Sequence, residues 1–217
     1  MVHPWPVVAF IGDIIRSRKL SEHQRGPVQR DLEQFLVYVN RRYRRSVLAQ
    51  FLVTLGDEFQ GLVRDPVVVP EIVQDARERL PEVRFRMAVG YGKLTTPLKK
   101  VALGTDGPAW YNARDLLNSW RAGKREGVGF HGFPDHDVAL NGLSGLLTHH
   151  WNGLEASQRK IITALRHHEG LRKDAAADLG ISPQSMSNRA QSAGAREYED
   201  GMIAMRDLLR RYTPPEA

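Results

Sequence analysis

The sequence predicts an α+β chain in two parts. Residues 1–141 read as a split β-α-β-β-α-β domain of the ferredoxin-like or palm type, and residues 142–217 as a small all-α domain. Three observations predict it. Short apolar runs that fit strands alternate with segments of helical periodicity as far as Phe130. The dipeptide Gly56-Asp57 between two such runs marks a hairpin in mid-domain. After Pro134 only helical periodicity remains.

The elements follow in order. Val7 to Ile11 is apolar throughout, as a strand buried on both faces is. Gly12 to Arg18 is loop or a short helical turn, and Pro27 to Asn40 is a helix with Leu32, Phe35, Leu36 and Val39 on one face. Val47 to Val53 and Phe59 to Val63 form the hairpin strands. Glu71 to Leu80 is a second helix, with Pro70 near its first turn. Val83 to Val89 alternates Val83, Phe85 and Met87 with Arg84 and Arg86, the period of a half-buried strand, and Gly90-Tyr91-Gly92 breaks it. A third helix runs from Pro108 to Ser119, and a weak last strand lies near Val128 to Phe130. Asn141 to Gly145 reads as a flexible joint before a connector helix from Leu146.

Composition narrows the function classes. The chain has 217 residues, 41% hydrophobic and 26% charged, and no run of 18 apolar residues that would span a membrane. The opening residues Met1 to Pro6 carry no signal-peptide pattern, and the absence of cysteine excludes disulfides and thiolate metal sites, so the expected location is cytoplasmic. The net charge of +6 suits an anionic partner such as a nucleotide or nucleic acid. Most of the excess precedes residue 151; Arg41, Arg42, Arg44 and Arg45 read as a solvated helix end. The pairs His149-His150 and His167-His168 do not chelate, because adjacent helical residues point about 100° apart.

The chemistry sits at two strand ends. Asp13 closes the first strand and Asp57, 44 residues later, sits at the hairpin tip. Two carboxylates meeting there would suit Mg or Mn: a pair of divalent ions about 4 Å apart activates a hydroxyl and stabilises a leaving pyrophosphate. The plainer reading makes both aspartates turn residues.

Phe10-Ile11-Gly12-Asp13-Ile14 resembles the first metal motif of class III nucleotidyl cyclases, and Gly56-Asp57-Glu58-Phe59 resembles their second and the signature turn of diguanylate cyclases. Three longer stretches, Gly12 to Arg18, Thr54 to Gly61 and Gly104 to Arg114, resemble the SatD family, small bacterial proteins many of which end in a helix-turn-helix. The resemblance implies a nucleotidyl-cyclase-like domain that binds a nucleotide or cyclic nucleotide through Asp13, Arg16, Ser17, Gly56, Asp57, Asp106 and Arg114. Asp13 and Asp57 would be the metal ligands and Arg114 the candidate catalytic residue on the phosphates. Backbone donors where the helix opens near Asp106 would offer a further phosphate site. Active class III cyclases carry an Asn four residues before that Arg, where this chain has Trp110; Asn112 is out of phase.

In the C-terminal part Ser157 caps a helix, and Leu171 to Arg189 has the layout of a helix-turn-helix. Ala176 is small where two helices cross, Gly180 suits a left-handed turn, Ser182 caps and Pro183 opens the second helix. Met186 and Ala190 face inward. Arg172, Lys173, Gln184, Ser185, Ser187, Asn188 and Arg189 are the candidate contacts to double-stranded DNA, and paired half-sites would call for a homodimer. A last helix runs from about Glu199 to Tyr212.

Three function classes remain open on the sequence. The favoured one is a DNA-binding transcriptional regulator with a nucleotide-binding, cyclase-like sensor domain. The others are a metal-dependent nucleotidyl cyclase or transferase using ATP or GTP, and a protein-interaction adaptor in which both sites are vestigial.

Overall fold

The computed structural model describes residues 3–19 and 21–215; Met1 and Val2 of the opening stretch and the last two residues lie outside them. The chain divides into two compact units. The first runs to Ser144 and resumes at Arg206; the second is Gly145–Met205. The expected boundary after residue 141 thus falls three residues later, and the C-terminal end packs within the first unit rather than the second.

The first unit is built on a five-stranded sheet in the order β2-β3-β1-β4-β5. The strands are β1 (Val7–Ile14), β2 (Val47–Leu55), β3 (Glu58–Val63), β4 (Phe85–Gly92) and β5 (Gly127–His131). All neighbours are antiparallel except β4 and β5, which run parallel. Helices α1 (Glu22–Arg42) and α2 (Val69–Arg79) contact each other, and α1 lies against β2. Helix α3 (Pro108–Ala122) makes the crossover to β5 on the other face, burying Val7, Ala9, Ile11, Ala49, Leu62 and Ala88 beneath Ala109, Ala113 and Leu117. The alternate residues Val8 and Phe10 are equally buried on the α1 side, so β1 is covered on both faces.

Several expectations are corrected. Helix α1 begins five residues before Pro27, because Gln24 Oε1 accepts from the Ser21 amide (3.2 Å) and starts the helix ahead of the proline. Gly90 and Gly92 do not break β4, which runs through them. A Cβ on Gly90 would lie 2.2 Å from the carbonyl oxygen of Ala109, so glycine there admits α3 against the strand. Asn141 to Gly145 is no joint: it lies inside α4 (Asp137–Gly153). Asn141 is held there by edge pairing, its Nδ2 donating to Phe130 O (2.7 Å) while its Oδ1 accepts from Phe130 N (3.0 Å).

The opposite edge uses the same device. Asn40 of α1 donates to Phe51 O (2.9 Å) and accepts from Phe51 N (2.8 Å), where the β2–β3 register shifts and the ladder leaves those groups free. Both edge strands therefore have backbone groups closed by a helix asparagine rather than left as a template for another chain.

The second unit contains the remainder of α4, α5 (Ala156–His167), α6 (Arg172–Asp178), α7 (Pro183–Ser192) and α8 (Ala195–Arg210) as far as Met205. Helices α5, α6 and α7 pack on one another around Ile161, Ala175, Ala176, Met186 and Ala190. The cap of α5 is Glu155, whose amide donates to Gln158 Oε1 (3.0 Å), and not Ser157. The last helix begins at Ala195, four residues earlier than its periodicity suggests. His150 donates or accepts at Ala193 O (2.9 Å) and packs on Tyr198, a structural role within this unit. No helix among the described residues is long and apolar enough to cross a membrane.

Candidate functional site

Asp13 lies near the end of β1 and is only 7% exposed. Two residues of backbone preference shape this end. Gly12 has no side chain because the Phe59 ring lies over it, where a Cβ would come within 2.3 Å of the ring. Gly56 opens the β2–β3 turn at φ +63°, a conformation suited to a tight hairpin. That turn carries Asp57 back to β1, where Asp57 Oδ2 accepts from the amide of Ile14 (3.1 Å). The two aspartates of the sequence pattern are therefore at the same end of the sheet, on adjacent chain positions of contact.

What surrounds them is a lattice of guanidinium groups. Arg86, directly across from Asp13 in the β1–β4 register, places Nε 2.9 Å from Asp13 Oδ1. Arg121 of α3 bridges two carboxylates, with Nε 2.7 Å from Asp13 Oδ2 and Nη2 2.9 Å from Glu58 Oε2. Arg114, one heptad earlier on the same helix, grips Glu58 through both oxygens at 2.7 and 2.9 Å. Burial alone would raise the Glu58 carboxyl, but hydrogen bonds and charge from Arg114 and Arg121 outweigh it and hold the pKa at about 2.

This arrangement does not fit a divalent ion. Both oxygens of Asp13 are in contact with arginine nitrogens, and among the described residues no group of three His, Cys, Asp or Glu is placed to hold a metal. Three arginines and the three carboxylates Asp13, Asp57 and Glu58 balance in charge, so the end is self-neutralised.

The other residues singled out in the sequence scatter. Arg16, at φ +62°, and Ser17 follow β1 directly at this end; Arg16 is exposed and Ser17 half-buried. Arg114 reaches the site but holds Glu58. Asp106 does not reach it. The first turn of α3 lies beside Lys93 and Gly92, and Gly92 pairs with Val7, six residues of strand from Asp13, or about 20 Å. Asp106 there accepts from Tyr111 Oη (2.8 Å), and the amides of Ala109, Trp110 and Tyr111 are bonded to Lys93 and Gly107 carbonyls. Trp110 is buried among core residues at that far end, its indole N–H without a partner. Sequence reasoning missed Arg86, Arg121 and the role of Glu58. The seven-residue spacing of Arg114 and Arg121 was the available signal, since it puts both on one helix face.

In the second unit Gly180 adopts φ +63° between α6 and α7, and Ser182 caps α7 by accepting from the amide of Ser185 (3.1 Å). Met186 and Ala190 are buried, while Gln184, Asn188, Arg189, Arg172 and Lys173 are exposed, and Ser185 and Ser187 half-buried.

A model of the SatD family matches residues 7–209. A comparison with curated proteins finds no match. Among solved structures the chain is similar to a bacterial light-regulated adenylyl cyclase, at 13% identity and a TM-score of 0.45, over 60% of this chain and 44% of that one. It is also similar to the guanylate cyclase domain of RhGC from Catenaria anguillulae in complex with GTP, at 15% identity and a TM-score of 0.37, over 58% of this chain and 78% of that one. The chain thus spans under half the length of the adenylyl cyclase, and at these scores the likeness carries no argument about activity.

Proposed function

Since the chain belongs to the SatD family, whose resemblance to nucleotidyl cyclases motivates the reading, we propose that its first unit binds a nucleotide at the Asp13–Asp57 end of the sheet without turning it over. The observation that carries this is the convergence of Arg86, Arg114 and Arg121 on two carboxylates. A polyphosphate is the ligand that can take over such guanidinium donors, because phosphate matches their forked geometry as a carboxylate does. The side chains of Arg114 and Arg121 are 36% and 37% exposed, so solvent-borne phosphate can reach them, whereas Arg86 is mostly covered. Turnover needs further groups at the same end, and Trp110 is buried about 20 Å away. Calorimetric titration of ATP, GTP and their cyclic forms into the pure protein tests the reading. Binding of at least one, weakened in Arg114→Ala, supports it. Pyrophosphate released with magnesium or manganese and abolished by Asp57→Ala would instead make the protein a nucleotidyl cyclase or transferase.

A second reading concerns Gly145–Met205. The polar outer face of α7, with Gln184, Asn188 and Arg189 exposed over a buried Met186 and Ala190, is the form of a helix that reads base edges in a major groove. This segment carries seven Lys+Arg and seven Asp+Glu, so little attraction to DNA comes from net charge and side-chain readout must supply the affinity. Selection of duplexes from a random pool should recover a sequence that Arg189→Ala and Asn188→Ala no longer bind, with two half-sites if the protein acts as a homodimer. Recovery of nothing favours a protein-interaction module.

A further inference from the structure

We infer that Arg121 is a built-in counter-ion that keeps divalent cations off Asp13. Three carboxylates meet at one end of the sheet, and something positive must stand among them. In a metal-bound arrangement that would be an ion; here it is one side chain that touches both Asp13 (2.7 Å) and Glu58 (2.9 Å). The two arginines on Asp13 are not equivalent. Arg86 projects from the central strand β4 and its side chain is 12% exposed, so it belongs to the packed interior. Arg121 sits in the last turn of α3, 37% exposed, where a cation also suits the helix end. Its long stem can rotate into solvent without disturbing the strand.

Removing Arg121 leaves Asp13 with one arginine and Glu58 with Arg114, and opens one oxygen on each beside Asp57. The vacated volume lies among carboxylates from β1 and from the hairpin, and a hydrated divalent ion of hard character is what such oxygens take. In the wild type the same ion must first displace a tethered guanidinium whose local concentration never falls.

The inference deepens the nucleotide reading of this end of the sheet, but its test uses metal without nucleotide, so failure of nucleotide binding leaves it standing. Mn2+ is titrated into the full-length protein and the free ion followed by electron paramagnetic resonance. The wild type should show no site that Asp13→Asn removes. Arg121→Gln should gain one Mn2+ site at least about tenfold tighter than any in the wild type, the scale on which an adjacent opposite charge shifts cation binding at a carboxylate. The double variant Arg121→Gln/Asp13→Asn should lose it. Arg121→Lys keeps the charge but is too short to bridge both carboxylates, and should fall between; it carries the test if the glutamine variant does not fold. Wild-type protein that already binds Mn2+ through Asp13, a site in Arg121→Gln that survives Asp13→Asn, or a lysine variant no tighter than the wild type overturns the inference.

Discussion

The two ends of β1 lie on one strand under one helix, yet different forces hold them. At the Val7 end α3 sits close on β4 because Gly90 and Gly92 remove the side chains that would keep it away, and the surface is closed by aromatic rings. Tyr91 lies 5.0 Å from Phe133 and 5.1 Å from Tyr212, centroid to centroid, and the Tyr212 hydroxyl donates to the carbonyl of Pro134. At the Asp13 end the same helix presents Arg114 and Arg121, and contact is made through long charged side chains. Packing of the first kind is dense and unforgiving of added atoms. Contact of the second kind can be exchanged for another ion without moving backbone, which is why a ligand belongs at that end and not the other.

The contrast is broken most severely by removing the charge that Arg86 faces. Asp13→Ala strands a guanidinium whose side chain is only 12% exposed, and should cost about 3–5 kcal/mol, read from the midpoint of urea unfolding. A loss under about 1 kcal/mol would mean that the lattice is no more than a set of surface pairs. At the other end Gly90→Ala puts a methyl 2.2 Å from the backbone oxygen of Ala109, which cannot swing aside, and should cost about 1–3 kcal/mol. Gly142→Ala, in α4 with open space around it, serves as its control and should be neutral or stabilising.

Much of the architecture was legible because it is local. Apolar alternation marked the strands, and Gly56-Asp57 marked the hairpin that brings Asp57 beside Ile14. What was not legible depends on register and direction. Arg84 and Arg86 alternate like a solvated face, and only the pairing of Asp13 with Arg86 across β1 and β4 turns the second of them inward to a partner. Asp106 looked like part of the same site because it precedes Arg114 by eight residues, but α3 runs from the Val7 end towards the Asp13 end and separates them by its length. Asn141 to Gly145 looked like a joint because glycine weakens a helix. The bonds from Asn141 to both backbone groups of Phe130, and the Ser144 hydroxyl on Val128 O (2.6 Å), offset that weakness, and neither is visible from the helix alone.

The smallest effect expected is a pH dependence, and it sharpens the contrast because only the charged end can show it. Glu58 has a folded pKa of about 2 against an ordinary 4.5. The unfolded chain therefore takes up a proton first as pH falls. The stabilisation from the Arg114 and Arg121 pairs is fully present above pH 4.5 and is lost progressively as pH drops towards 2. Its size should be below that of either substitution above, since both arginine side chains are over a third exposed and screened by solvent. Glu58→Gln should flatten the stability profile across that window, measured by thermal unfolding at fixed ionic strength, while Tyr212→Phe at the aromatic end leaves its slope unchanged. An unaltered slope in Glu58→Gln would show that other carboxylates carry the acid sensitivity and that the lattice contributes through Asp13 alone.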